Sequence, residues 1–168
     1  MGRNPFNIRT GSHIPVLIKL LQMTAGPVAE FGMGIYSTPL LHYMCSPKRR
    51  ELYSFDNDGR YIDMFNLAEY ADDYHRIIMV NDWDDVKVDK FWSVVFIDHA
   101  PAERRKIDAA RFAKFAFYIV LHDTGWKWEK NYHYKEIYPL FKYRYDYTAV
   151  KHYSTILSNF EDLKDFSC

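Results

Sequence analysis

Aspartate and histidine stand side by side twice in this chain, each time directly after an apolar run: Phe96-Ile97-Asp98-His99 and Val120-Leu121-His122-Asp123-Thr124. An imidazole titrates near neutral pH, and a carboxylate can orient it, neutralise it or hold a cation. Such pairs suit proton transfer, metal ligation or contact with a cofactor. Upstream, Glu30-Phe31-Gly32-Met33-Gly34-Ile35-Tyr36-Ser37-Thr38 carries two glycines. Glycines let a chain turn tightly and bring backbone N–H groups against a ligand, and the helix that follows offers its positive end to an anion. Asp56, followed by Asn57, lies 22 residues beyond Gly34, where an acid can accept both hydroxyls of a ribose. Asp82 and Trp83 could hold an adenine ring, the carboxylate accepting from its amino group and the indole stacking on its face.

Each feature also has a plainer reading. Gly32-x-Gly34 alone is equally a tight turn, and Asp82 or Asp84 could simply cap a helix. Asp56-Asn57-Asp58-Gly59 is good turn chemistry, although its position favours the ribose. His122 could be a structural histidine.

These residues gain meaning from the elements that place them. Ser12 to Met23 has helical periodicity, with Ser12 as N-cap, and Gly26-Pro27 stops it. Strands are expected at Val28–Phe31, Glu51–Phe55, His75–Val80, Phe91–Ile97 and Phe117–Leu121, with helices at Ser37–Met44, Arg60–Tyr70 and Ala102–Phe115. Phe141–Val150 and Tyr153–Phe160 are β-prone with no helix between them, and so form an antiparallel hairpin. The expected fold is α/β: a Rossmann-like three-layer sandwich around a seven-stranded, mostly parallel sheet, in one domain spanning 1–168 with its core at about 12–160. Ligands then bind where the strand order reverses, at the carboxyl ends of the strands, which is where every residue above falls.

Composition narrows the classes. Apolar residues make up 48% of the 168 and charged residues 26%, the balance of an ordinary globular protein. Lys plus Arg equals Asp plus Glu at 22 each, so no global basic field recruits nucleic acid, and none is expected as a partner. Aromatics reach 18%; a Tyr-heavy core accounts for this, while a stacking pocket or a homo-oligomer interface stays open. Cys45 and Cys168 are far apart, which argues against a disulfide framework and suits a reducing compartment. The start, Met1-Gly-Arg-Asn-Pro-Phe6, lacks an apolar signal core, and the apolar runs are too short to span a bilayer. A soluble, cytoplasmic protein is the expectation.

Taken together, Glu30-x-Gly32-x-Gly34, Asp56, Asp82-Trp83, the element order and the terminal hairpin resemble the class I S-adenosylmethionine (SAM) dependent methyltransferases over residues 12–160. The resemblance implies SAM as cofactor, contacted by Glu30, Gly32, Gly34, Tyr36, Ser37, Thr38, Asp56, Asn57, Asp82, Trp83, Asp98 and His99. Phe96-Ile-Asp98-His99 and His122-Asp123-Thr124 look most like the catechol-type and related small-molecule O-methyltransferases. That implies Asp98, Asp123 and Thr124 around a magnesium ion, with Asp98, His122 and Asp123 as catalytic residues and a small hydroxylated molecule as substrate. Two departures stand out. Thr124 replaces an amide ligand, and Ala100-Pro101 occupies the stretch of that family's catalytic lysine. Similar His-Asp-Thr endings occur in sugar-modifying methyltransferase-like proteins, where His122 would be the general base.

Gly125–Pro139, rich in Trp, Tyr and Lys, is the candidate cover for the substrate, with Trp126, Trp128, Tyr132 and Tyr134 as an aromatic wall. The rivals are a SAM-binding protein with other chemistry, a non-catalytic partner subunit, and an NAD-dependent oxidoreductase. Tyr36 in the place of a third glycine weakens the last.

Overall fold

Alternation of side chains along the central strands sets up the architecture. In Trp92–Ile97, all six residues are buried. Val94 and Phe96 point to one side of the sheet, and Val95 and Ile97 to the other, the pattern of a strand covered on both faces. The computed structural model describes residues 11–67 and 69–168. The opening segment read for a leader lies outside them.

Seven strands form one sheet: β1 (Val28–Phe31), β2 (Leu52–Asp56), β3 (His75–Met79), β4 (Trp92–Ile97), β5 (Ala116–His122), β6 (Tyr143–Tyr147) and β7 (Ser154–Ser158). Their order is β3-β2-β1-β4-β5-β7-β6. The first five run parallel, and β7 pairs antiparallel with both β5 and β6. This is the expected Rossmann-like sheet with its terminal hairpin. The order reverses between β1 and β4, so the loops after those strands leave toward opposite faces and open the switch point between them.

Helices α1 (Ile14–Met23) and α2 (Ser37–Cys45) cover one face with Val16, Leu17, Leu20, Leu21 and Leu41. On the other lie α4 (Arg104–Phe112), through Ala109 and Phe112, and a string of short turns between Trp126 and Leu140. That string includes the four-residue helix α5 (Glu129–Tyr132). Helix α3 (Gly59–Leu67) packs beside β2 and β3.

Ser12 does not cap α1. The helix begins at Ile14, Pro15 fits its first turn, and the Ser12 hydroxyl is engaged by His122 Nε2 at 3.1 Å instead. Helix α3 ends before Tyr70 because Glu69 adopts a left-handed backbone, φ 58°. Helix α4 is three residues shorter at its end than its periodicity suggests, closed by a tight turn from Ala113 N–H to Ala110 O. No helix among the described residues is long and apolar enough to cross a membrane.

Candidate active site at the carboxyl ends of the strands

The glycine turn after β1 is held from inside the protein. Gly32 has φ +89°, and a Cβ there would stand 2.6 Å from the backbone of His99, so the β1 and β4 loops touch at a point only glycine permits. Asp56 braces the turn: its Oδ2 accepts from Met33 N–H at 2.7 Å and its Oδ1 from Asp58 N–H at 2.8 Å. Burial pushes the Asp56 carboxyl up, against those hydrogen bonds. Asn57 lies exposed beside it.

Glu30 is fully buried. Thr38 donates to its carboxyl at 3.0 Å while accepting from Gly34 N–H, and Ser54 donates at 2.6 Å. Burial raises the Glu30 pKa to about 7, against the pull of the Ser37, Ser54 and Thr38 hydroxyls. Behind Ser54, His75 Nε2 lies at 2.9 Å, and His42 Nδ1 lies 3.2 Å from His75 Nδ1. Glu30, Ser37 and Thr38 therefore shape the loop from within it, and Gly34 and Tyr36 carry its outer turn.

The Trp83 indole, expected to stack on a cofactor ring, lies in the core instead. It is 4% exposed, donates from Nε1 to Ala100 O at 2.8 Å, and packs on His99 and Phe31. Asp82 caps the short turn after it, accepting from Asp84 N–H, the plain alternative that the sequence left open. His99 is held by Asp108, Nε2 to Oδ2 at 2.9 Å, and its buried Nδ1 has no partner among the described residues. Asp108 is in turn neutralised by Arg104 and Arg111.

At the ends of β4 and β5 the two Asp/His pairs converge. Asp98 Oδ1 lies 2.8 Å from Arg105 Nη1, and Asp98 Oδ2 lies 3.1 Å from His122 Nδ1. The same Arg105 nitrogen is 3.7 Å from Asp123 Oδ2. The guanidinium thus stands between the two carboxylates assigned to magnesium, and the cation linking them is the protein's own. Thr124 N–H donates to Tyr153 O at 3.3 Å, away from the Asp98–Arg105–Asp123 ion pairs. Burial would raise the Asp98 pKa, but His122 and Arg105 hold it well below the carboxylate range. For His122, burial works downward, and the Asp98 and Asp123 charges outweigh it, so the net direction is up.

Asp123 has a further partner that the sequence did not single out. His152 Nδ1 lies 2.8 Å from its Oδ1, and Tyr132 Oη donates to its Oδ2 at 3.1 Å. The signal was in the hairpin: pairing of His122 with Ser154 returns residues 152 and 153 to the end of β5. Trp128 stacks on His152, ring centroids 5.7 Å apart. The expected aromatic wall therefore divides. Tyr132 and Tyr134 are buried and stacked on each other, whereas Trp126 is 78% exposed and Trp128 borders solvent. Arg105, Asp108 and His152 are site residues that sequence reasoning missed.

No family model and no curated protein matches this sequence. Solved structures do resemble it. TrmK of M. capricolum, in complex with the cofactor product S-adenosyl-homocysteine, shares 14% identity at a TM-score of 0.54, over 88% of this chain and 69% of its own. A dimethyladenosine transferase from Plasmodium falciparum shares 13% at 0.54, over 86% and 62%. An rRNA methylase from Streptococcus thermophilus shares 12% at 0.60, over 96% and 99%. This chain therefore has the Rossmann-like methyltransferase fold, and it spans less than two thirds of the Plasmodium protein.

Proposed function

We propose that this chain is a SAM-dependent methyltransferase that methylates a hydroxyl of a small molecule seated beside Asp123 and His152. The observation that carries the reading is the glycine turn: it sits at the β1/β4 switch point of this fold. The residues around the turn fit the cofactor. Asp56 is held at the end of β2, its oxygens retaining lone pairs for ribose hydroxyls. The His99 backbone lies against Gly32, and the buried Nδ1 of its side chain has no partner among the described residues.

SAM, when bound, supplies a methyl group on a sulfonium. The protein has to place the acceptor oxygen close to that methyl group and in line with its bond to sulfur. It also has to remove the acceptor proton. His152, oriented by Asp123 and partly open to solvent, is the base in this reading. His122 is less suited, because its two ring nitrogens already face Ser12 and Asp98. Trp128, stacked on His152, borders the acceptor position.

Trp126 favours a second reading. An indole this exposed beside Lys127 and Lys130 is also a stacking platform for a nucleobase next to a phosphate backbone. Two of the structures similar in fold are named as an rRNA methylase and a dimethyladenosine transferase.

Calorimetry with SAM, S-adenosyl-homocysteine and NAD tests the cofactor. Micromolar binding of the first two is expected, and binding of NAD alone would overturn the reading. Transfer of a labelled methyl group to a panel of small hydroxylated compounds and to structured RNA then separates the two acceptors.

A further inference from the structure

We propose that His13, Asp98 and His122 form a binding site for one divalent transition-metal ion of the zinc or cobalt type. The three side chains come from the start of α1 and the ends of β4 and β5, and one ligand atom from each lies within 4.8 Å of the others. His13 is 2% exposed, yet neither of its ring nitrogens has a partner among the described residues. Its ring lies on Phe96, centroids 4.7 Å apart, and meets the His122 ring edge-on at 4.8 Å. A histidine kept only for packing would leave two buried polar atoms unsatisfied here, at a position where a leucine would pack.

His122 and Asp98 are arranged for a shared ligand. Nδ1 of His122 is buried and lies 3.1 Å from Asp98 Oδ2. Around an ion with bonds of about 2.0–2.2 Å, neighbouring ligand atoms stand about 3.0–3.4 Å apart. The His122–Asp98 pair already has that spacing, and His13 closes the set by moving inward about 1.5 Å. The outer partners suit ligation as well. Ser12 Oγ, 3.1 Å from His122 Nε2, can accept the proton on that nitrogen and leave Nδ1 free, while Arg105 fixes the other Asp98 oxygen.

Two imidazoles and one carboxylate select a borderline-soft ion over magnesium or calcium, which prefer all-oxygen sites. The site differs from one built on Asp98, Asp123 and Thr124, since Arg105 occupies the space between those carboxylates. Metal binding here stands apart from methyl transfer, although an ion so placed would lie close to the proposed acceptor position.

The test is titration of chelator-stripped protein with cobalt(II), followed by its visible absorption. One cobalt per chain, displaced by zinc, is expected. Paramagnetic NMR of the wild-type complex should show two shifted exchangeable imidazole N–H signals. His13→Leu should weaken binding at least 100-fold without lowering the melting temperature of the metal-free protein, and Asp123→Asn should leave binding within a few-fold of wild type. Absence of stoichiometric cobalt, fewer than two shifted signals, or loss in Asp123→Asn with retention in His13→Leu would overturn the site. Cobalt binding by a protein that does not bind SAM would sink the methyltransferase reading and leave the site standing.

Discussion

Nδ1 of His152 lies 2.8 Å from Oδ1 of Asp123, 29 residues away in the chain. The contact exists because β7 runs back along β5, which places the turn before β7 over the carboxyl end of β5. A carboxylate that fixes one nitrogen of an imidazole leaves the other aimed outward, the geometry of an oriented base. His152→Ala should therefore lower turnover by roughly 100-fold or more while SAM affinity stays within a few-fold of wild type. Loss of SAM binding in that variant would make His152 part of the cofactor site instead.

The sheet was legible because its strands are short apolar runs bounded by Gly, Pro and Asp, and an acidic residue at a strand end announces itself. Partnerships made across the fold were not. Asp108, within Arg-Arg-Lys-Ile-Asp-Ala-Ala-Arg-Phe, reads as a solvated helix position, yet it is fully buried because His99, Arg104 and Arg111 all converge on it. Trp83 reads as a stacking platform, but Phe31 and His99 enclose its faces. His13 sits at the start of the first helical run, and nothing in sequence spacing brings it to His122, 109 positions later.

Gly32 offers a sharper measure of the switch point. An added Cβ would collide with His99 backbone at 2.6 Å, and φ +89° is strained for any residue that carries one. Gly32→Ala should cost roughly 2–5 kcal/mol, read from the denaturant midpoint. The loss of SAM binding should exceed what the residual unfolded fraction explains. Gly34→Ala should be milder, since its Cβ would meet only the Ser37 hydroxyl, at 3.3 Å.

Arg105 binds Asp98 through Nη1 at 2.8 Å and reaches Asp123 at 3.7 Å, while its Nε and Nη2 donate to the carbonyls of His99 and Asp98. Removing it leaves two carboxylates facing each other in a mostly buried site. Arg105→Ala should destabilise by about 3–5 kcal/mol. Lysine should restore little, because a single ammonium cannot reach both carboxylates and both carbonyls. Thermal melts of the two variants decide this; full recovery by lysine would mean that charge alone suffices.

Glu30 makes stability depend on pH in a direction opposite to most carboxylates. Its pKa is about 7 in the folded chain, because burial opposes the charge, against 4.5 for the ordinary side chain. Between those values the folded state holds a proton that the unfolded state has released. Stability therefore falls as pH rises from about 4.5 to about 7, and this group's share of the fall is about 3 kcal/mol. Glu30→Gln keeps the shape without the charge and should remove that share. The difference in unfolding free energy, variant minus wild type, should grow over this interval and level off above it. A difference that stays flat from pH 4.5 to 8 would show that Glu30 is ionised throughout in the folded protein, with Ser54, Thr38 and the neighbouring hydroxyls sufficient to carry its charge.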